Sequence, residues 1–187
     1  MAETATTQIE LGFKALDFRL PDTKTGKELS LKELRSDKAT VIMFICNHCP
    51  YVKHVQKQLV KLANDYMGKG VAFIAISSND AVNYPEDAPD EMKKTAKRFN
   101  YPFPYLYDET QDVARAYDAA CTPDFNIFDD EMRCVYRGQL DDSRPGSGIP
   151  VTGEDIRAAL DAMLDGRAVN EEQKPSIGCN IKWKTAS

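Results

Sequence analysis

The chain has 187 residues, of which 42% are hydrophobic and 28% are charged, as expected of one globular domain with a sizeable core. A net charge of −5 argues against general nucleic-acid binding, and no apolar run is long enough to span a membrane. Because the N-terminal residues lack the features of a secretory signal, we expect a cytoplasmic protein. We also expect it to be either a monomer or a homodimer. In that reducing compartment, a pair of cysteines is more often catalytic or metal-binding than structural.

The first half of the chain predicts a hairpin followed by one strand–helix–strand unit. Residues 17–29 have the alternation and the turn of a β-hairpin, and residues 30–33 (SLKE) have the form of a capping box. Residues 40–45 and 71–76 are apolar on both faces and rich in β-formers, which predicts two buried strands. Between them, Pro50 opens a helix with an apolar stripe. The stripe consists of Val52, Val55, Leu59, Leu62 and Tyr66.

The second half predicts shorter elements. An acidic, proline-bearing loop over 77–90 precedes a helix with one apolar face. The acidic stretch from Asp80 to Glu91 lacks the spacing of a calcium loop and is expected to be a solvated face. A short strand follows at 105–107, and residues 124–128 and 132–137 predict an antiparallel hairpin. After a final amphipathic helix, the residues beyond Gly166 are expected to form a polar tail.

The segment Cys46-Asn47-His48-Cys49 lies where the first buried strand meets the helix. Two thiols three residues apart can close a disulfide, and a helix N-terminus favours the thiolate. We expect Cys46 to be exposed and Cys49 to be more buried. His48 precedes the second thiol, where an imidazole would favour the thiolate. The residues alone leave a pair of structural cysteines or half of a zinc site as alternatives.

Three segments carry a family resemblance: Phe44–Val52 (FICNHCPYV), Cys121–Phe125 (CTPDF) and Ile177–Trp183 (IGCNIKW). With the element order, they resemble the thioredoxin-like superfamily and, more narrowly, its peroxiredoxin-like, AhpC/TSA-related redoxins. The resemblance implies an α/β thioredoxin-like fold, with a central mixed sheet flanked by helices, an N-terminal hairpin and a strand–helix insertion. We therefore expect a single domain over 1–187, with a core at about 15–165 and a C-terminal tail at 166–187.

The same resemblance implies a thiol–disulfide oxidoreductase. Cys46 matches the attacking cysteine of thioredoxins and Cys49 the resolving one, with His48 tuning the thiolate. This chemistry needs no prosthetic group and no metal. Its partners would be protein or small-molecule thiols and disulfides.

Further site residues come from the second and third segments. Pro123 resembles the cis-proline that thioredoxin-fold proteins place against the dithiol, and Thr122 would help to hold a substrate strand. Cys121 would then lie near Cys46 as an accessory thiol. Cys134 is expected to be a packing residue. Cys179 in the tail is expected to be structural or free, with a role as an extra resolving thiol as the alternative.

Two other functions stay open. A thiol peroxidase could reduce hydroperoxides through Cys46 or Cys49, since Cys49-Pro50 fits the cysteine–proline step of peroxiredoxins and Arg137 could serve as their arginine. The threonine or serine and the proline that peroxiredoxins place before that cysteine are replaced here by Cys46 and Ile42. Alternatively, the protein could be a copper or zinc carrier binding through Cys46 and Cys49, with Cys121 or a histidine.

Overall fold

The computed structural model describes residues 3–186. Its strands are β1 (Glu3–Ala5), β2 (Arg19–Pro21), β3 (Glu28–Ser30), β4 (Ala39–Phe44), β5 (Val71–Ser77), β6 (Tyr105–Tyr107), β7 (Cys121–Thr122), β8 (Asp124–Phe128), β9 (Cys134–Gly138) and β10 (Ile177–Asn180). Its helices are α1 (Leu31–Leu34), α2 (Pro50–Met67), α3 (Pro89–Arg98), α4 (Asp112–Ala116) and α5 (Glu154–Leu164), with a 3₁₀ turn at Pro85–Asp87.

A five-stranded mixed sheet forms the centre, in the order β6-β5-β4-β8-β9. Strands β4, β5 and β6 run parallel, whereas β8 pairs antiparallel with both β4 and β9. Every residue of β4 is buried, which agrees with its position in the middle of the sheet and its apolar sequence. The mixed α/β architecture, the β2–β3 hairpin and the β8–β9 hairpin are therefore confirmed.

Alternate residues of β4 point into two separate cores, because successive side chains of a strand face opposite sides. Val41 and Met43 pack with residues of α2, α3 and α5 on one face of the sheet. Ile42 and Phe44 pack on the other face with residues of the hairpin, α1 and α4. The sheet is thus covered on both sides, and the ends of β4 and β5 are held firmly.

Helix α2 begins directly beside the end of β4. Cys49 is its N-cap residue and Pro50 its first helical residue, as the sequence predicts. The carbonyl of Cys49 accepts hydrogen bonds from the amides of Val52 (3.1 Å) and Lys53 (3.0 Å). Residues 46–49 are therefore presented between the carboxyl end of a buried strand and the amide end of a long helix.

The C-terminal residues differ from the expected polar tail. They contain β10, which pairs antiparallel with β1 on one side and with β7 on the other. Gly178 and Cys179 are buried, and so is Ile181 beyond the strand. The acidic loop also departs from prediction, since Asp80 and Asp87 are buried rather than solvated. No helix within residues 3–186 has both the length and the apolar character of a membrane span.

Candidate active site

The turn that carries the two cysteines is held by Asn47. Its backbone amide donates to Asp87 Oδ1 (2.8 Å), and its side-chain amide donates to the carbonyl of Glu86 (2.8 Å). Its side-chain oxygen accepts from the hydroxyl of Tyr105 (2.8 Å), which is fully buried at the end of β6. All three contacts come from elements distant in sequence. They fix residues 46–49 against the sheet.

Asp87 also orients His48. Its Oδ2 accepts hydrogen bonds from His48 Nδ1 and from the Asn79 side chain (2.9 Å). The His48 ring stacks on Tyr84 with a centroid separation of 5.5 Å, and its Nε2 is buried with no hydrogen-bond partner among residues 3–186. Burial alone would raise the pKa of Asp87. Hydrogen bonds from His48, Asn79 and the Asn47 amide nevertheless hold that pKa below its usual value.

The sulfurs of Cys46 and Cys49 both lie against Thr122. Cys46 Sγ is 3.5 Å from the Thr122 hydroxyl, and Cys49 Sγ is 3.5 Å from the Thr122 carbonyl oxygen. Cys49 is bonded to Cys179 of β10 rather than to Cys46, and Cys46 remains a free thiol. Cys46 was expected to be exposed, but only 1% of its surface is accessible. The site therefore holds a disulfide and a thiol side by side, closed to solvent.

In this closed state Cys46 is protonated at neutral pH. Its pKa is raised to about 11, first by burial and then by the negative charge of Asp87. The Thr122 hydroxyl and the backbone amides of Cys49 and His48 act in the opposite direction without offsetting the rise. The thiolate expected from the helix N-terminus is thus not favoured while the site is closed.

The bond between Thr122 and Pro123 is cis, as the resemblance implies. Asp124, the next residue, is fully buried, accepts a hydrogen bond from Thr6 Oγ1 (3.0 Å) and leaves its Oδ2 without a partner among the described residues. Burial raises the pKa of Asp124 to about 6, although the charge of Arg137 partly opposes this. Asp124, which was not predicted as a site residue, is therefore an ionisable group beside the cis-proline.

The other predicted residues lie in less central positions. Cys121 Sγ lies 3.9 Å from the carbonyl oxygens of Pro123 and Ser176, and no hydrogen bond joins this thiol to Cys46 in the part of the chain that the structure describes. Cys134 is buried in β9, in agreement with a packing role. Cys179, expected to be structural or free, forms the disulfide with Cys49.

Arg137 is buried and anchors β9 to neighbouring segments. Its guanidinium donates to the carbonyls of Thr7, Tyr117 and Asp118 and to the Asn126 side chain.

Asp87 was not predicted because it lies among similar acidic residues. Asp80, Asp90 and Glu91 surround it in sequence, and no local feature distinguishes it from them. Its role depends on the path of the loop, which brings the 3₁₀ turn beneath the cysteine turn. Asp124 has a clearer signal, since it directly follows the proline of the second family segment.

Cys46, His48 and Asp87 are close enough to suggest a metal site, with their donor atoms within 4.8 Å of one another. The carboxylate, however, already accepts four hydrogen bonds, two on each oxygen. A metal ion bound by Asp87 and His48 Nδ1 would have to displace the hydrogen bond between them, whereas an ion bound at His48 Nε2 would leave it intact. Cys49 could join as a ligand only after its disulfide is reduced. In this structure the Asp87 carboxylate orients the imidazole.

Comparison with protein families identifies the chain. The model of the AhpC/TSA family matches residues 11–137, which include the cysteine turn, Asp87 and the cis-proline. The chain belongs to the AhpC/TSA family. A search of curated proteins finds no match.

Several solved structures are similar to this AhpC/TSA protein. An uncharacterized conserved protein from Geobacillus kaustophilus is 65% identical, with a TM-score of 0.98 over 100% of this chain and 99% of that one. A hypothetical protein from Sinorhizobium meliloti 1021 is 49% identical, with a TM-score of 0.95 over 98% and 100% of the two chains. The thioredoxin domain of a thiol-disulfide oxidoreductase from Bacteroides vulgatus is 20% identical, with a TM-score of 0.59 over 70% and 89%. The last similarity concerns the fold alone, which is thioredoxin-like.

Proposed function

We propose that this protein is a thiol–disulfide oxidoreductase whose reacting sulfurs are those of Cys46 and Cys49. Thr122 and Pro123 would hold the substrate, and His48, oriented by Asp87, would stabilise the reacting thiolate. The substrates would be disulfides of proteins or small molecules, with reducing equivalents from another dithiol protein or a small thiol. A reducing, cytoplasmic compartment would supply such donors.

One observation carries this proposal: a disulfide at Cys49 lies beside the free thiol of Cys46, with both sulfurs 3.5 Å from atoms of Thr122. Thiol–disulfide exchange requires a sulfur nucleophile next to a disulfide, and a helix N-terminus favours the thiolate form of that nucleophile. The amides of His48 and Cys49 lower the pKa of Cys46 in this way.

The reaction starts from the reduced Cys46–Cys49 pair. The Cys46 thiolate attacks one sulfur of the substrate disulfide, and the other substrate sulfur leaves as a thiolate and takes up a proton. The Cys49 thiolate then attacks Cys46 Sγ, which forms the Cys46–Cys49 disulfide and releases the second substrate thiol. A donor dithiol reduces the pair again and is itself oxidised to a disulfide.

The test mixes the reduced protein with oxidised glutathione and locates mixed disulfides by peptide mass spectrometry. We expect Cys46→Ser to abolish exchange and Cys49→Ser to accumulate glutathione on Cys46, because the resolving thiol is missing. Cys134→Ala removes a buried thiol on β9 and serves as the matched control. Exchange at the wild-type rate in Cys46→Ser would refute the proposal.

A second candidate, a thiol peroxidase, is favoured by the partner of Cys49. Cys49 precedes a proline at a helix N-terminus and is bonded to Cys179 from a distant segment. Reduction of a peroxide by Cys49, followed by resolution, would produce this disulfide. The Cys49 thiolate would attack the peroxide, forming a sulfenic acid and releasing an alcohol or water. The Cys179 thiol would then displace water to form the disulfide.

The two candidates differ in which cysteine is indispensable. Under the peroxidase mechanism, Cys46→Ser keeps consuming hydrogen peroxide, whereas Cys49→Ser does not. In Cys179→Ser, a sulfenic acid should then be trapped on Cys49 by dimedone. Peroxide consumption that needs Cys46 as much as Cys49 would contradict this candidate.

A further inference from the structure

Strand β10 occupies the edge of β7 beside the cis-proline. Cys179 is opposite Thr122 in the register and Asn180 is opposite Cys121. The amide of Ile181 continues the pairing by donating to the carbonyl of Ala120 (3.0 Å). An extended polypeptide can bind a sheet edge only where backbone groups are unpaired. Here the edge that adjoins Cys46 is already filled by the protein's own C-terminal segment.

Gly178 shows how closely this segment fits. A Cβ atom at this position would lie 1.9 Å from the carbonyl oxygen of Thr122 and 3.2 Å from Pro123 Cδ. The first distance is far below any contact between a carbon and an oxygen atom, so only glycine allows β10 to approach β7 this closely. The glycine also places Cys179 where its sulfur reaches Cys49.

The attachment of β10 at the active site is short. Its ladder with β7 has two register pairs, and the sheet β1-β10-β7 is separate from the five-stranded sheet. Beyond the strand, the amide of Lys182 donates to Asn79 Oδ1 (2.9 Å), and its carbonyl accepts from Gln111 Nε2 (2.9 Å). These contacts anchor the chain after β10. Segment 176–180 is also held by three register pairs with β1 and by the Ser176 hydroxyl, which donates to the Pro123 carbonyl. Its separation from β7 therefore breaks that hydrogen bond and moves β1 with it, while residue 182 stays in place.

We propose that segment 176–180 is an intramolecular occupant of the polypeptide-binding edge of β7, tethered by the Cys49–Cys179 disulfide. Opening of that disulfide releases the segment and admits an extended polypeptide disulfide to Cys46. This inference rests on the proposed oxidoreductase function and assigns its substrate class. A small disulfide needs no free sheet edge, whereas a polypeptide pairing with Thr122 does.

Release begins with exchange inside the site. The Cys46 thiolate attacks Cys49 Sγ, forming the Cys46–Cys49 disulfide, and Cys179 leaves as a thiolate that takes up a proton. A donor dithiol then reduces the Cys46–Cys49 disulfide to two thiols and becomes a disulfide itself. The protein now holds three reduced cysteines at the site, and no covalent link keeps β10 on β7.

Hydrogen–deuterium exchange tests the release directly in the full chain. Peptides covering residues 176–182 should exchange at least about tenfold faster after reduction of the wild-type protein, while peptides from β4 should not change. Gly178→Ala should show the faster exchange even when oxidised, because its Cβ cannot coexist with the Thr122 carbonyl. Gly68→Ala is the matched control, since nothing lies within 4 Å of a Cβ there. If Gly178→Ala fails to fold, the comparison of oxidised and reduced wild type still decides.

Substrate preference separates this inference from the proposed function. The free thiol of Cys46 should react with an extended peptide disulfide at least about tenfold faster in Cys179→Ser than in the disulfide-bonded wild type, once each rate is divided by the rate of the same protein with oxidised glutathione. Unchanged exchange of residues 176–182 on reduction, with normal glutathione chemistry at Cys46, would overturn the inference and leave the oxidoreductase intact. Absence of glutathione exchange in every variant would instead remove the proposed function, and the inference with it.

Discussion

The disulfide between Cys49 and Cys179 joins residues 130 positions apart, so its effect on stability reports which cysteines are paired. A crosslink of this length removes much conformational entropy from the unfolded chain. The chain-entropy relation gives a stabilisation of about 5 kcal/mol for such a loop. A disulfide between Cys46 and Cys49 would close a loop of three residues and contribute less than about 2 kcal/mol by the same relation.

The assay is guanidinium chloride unfolding of oxidised and reduced wild-type protein, with Cys179→Ser under both conditions. With a denaturant slope of roughly 5 kcal/mol/M for a chain of this size, reduction should lower the wild-type midpoint by about 1 M. Cys179→Ser can form only the short Cys46–Cys49 pairing, so its midpoint should change by no more than about 0.3 M between the two conditions. The serine variant thus controls for effects of the reductant that are unrelated to this bond.

Two results would refute the reasoning. A shift of only about 0.3 M that persists in Cys179→Ser would identify the short Cys46–Cys49 pairing as the stable one. No shift at all in the wild type would mean that the purified protein has no disulfide between these residues. In either case the closed arrangement of β10 would need another explanation.

Three further predictions concern single residues. Because burial raises the pKa of Asp124 to about 6, the folded protein binds more protons at this residue than the unfolded chain does between about pH 4 and 6. The wild type should therefore lose up to about 3 kcal/mol of unfolding free energy relative to Asp124→Asn as pH rises through this window. Parallel pH–stability profiles of the two proteins would contradict this. Asp87→Asn removes a negative charge that raises the pKa of Cys46, and the midpoint of Cys46 alkylation against pH should fall, with an unchanged midpoint as the opposing result. Gly138→Ala places a Cβ 2.3 Å from the carbonyl oxygen of Lys174, in the segment before β10, and should lower the free energy of unfolding by roughly 2 kcal/mol or more. Gly68→Ala is the control and should cause no loss. Equal melting temperatures for the two variants would show that this segment can move away from Gly138 at little cost.

The central sheet could be predicted because its signals are local. Strand β4 is apolar on both faces, and Pro50 with the apolar stripe of α2 fixes where the helix begins. These patterns depend on residues within one or two turns of each other, and the structure reproduces them. The cysteine turn follows from the same local order. The cis-proline was predicted from the family resemblance, and the structure contains it.

The partners of the site residues could not be predicted because they come from distant segments. Cys179 meets Cys49 only because β10 returns to pair with β7, and a four-residue strand in a polar region leaves little periodicity. Asp87 lies in an acidic loop whose composition is that of a solvated surface, yet its carboxylate receives four hydrogen bonds beneath the cysteine turn. Such contacts are set by loop paths, which local propensities do not encode.

Burial of Cys46 conflicts with a role as nucleophile in the closed state, and the location of β10 reconciles the two. With a pKa of about 11, only a small fraction of Cys46 is a thiolate at pH 7 in the closed state, so the attack on Cys49 that begins release is slow. The largest cause of that pKa is burial, whereas the Thr122 hydroxyl and the amides of His48 and Cys49 lower it. Displacement of segment 176–180 would hydrate the sulfur while leaving those amides in place. The same movement that exposes the polypeptide-binding edge would then also activate the thiol, so that access and reactivity rise together.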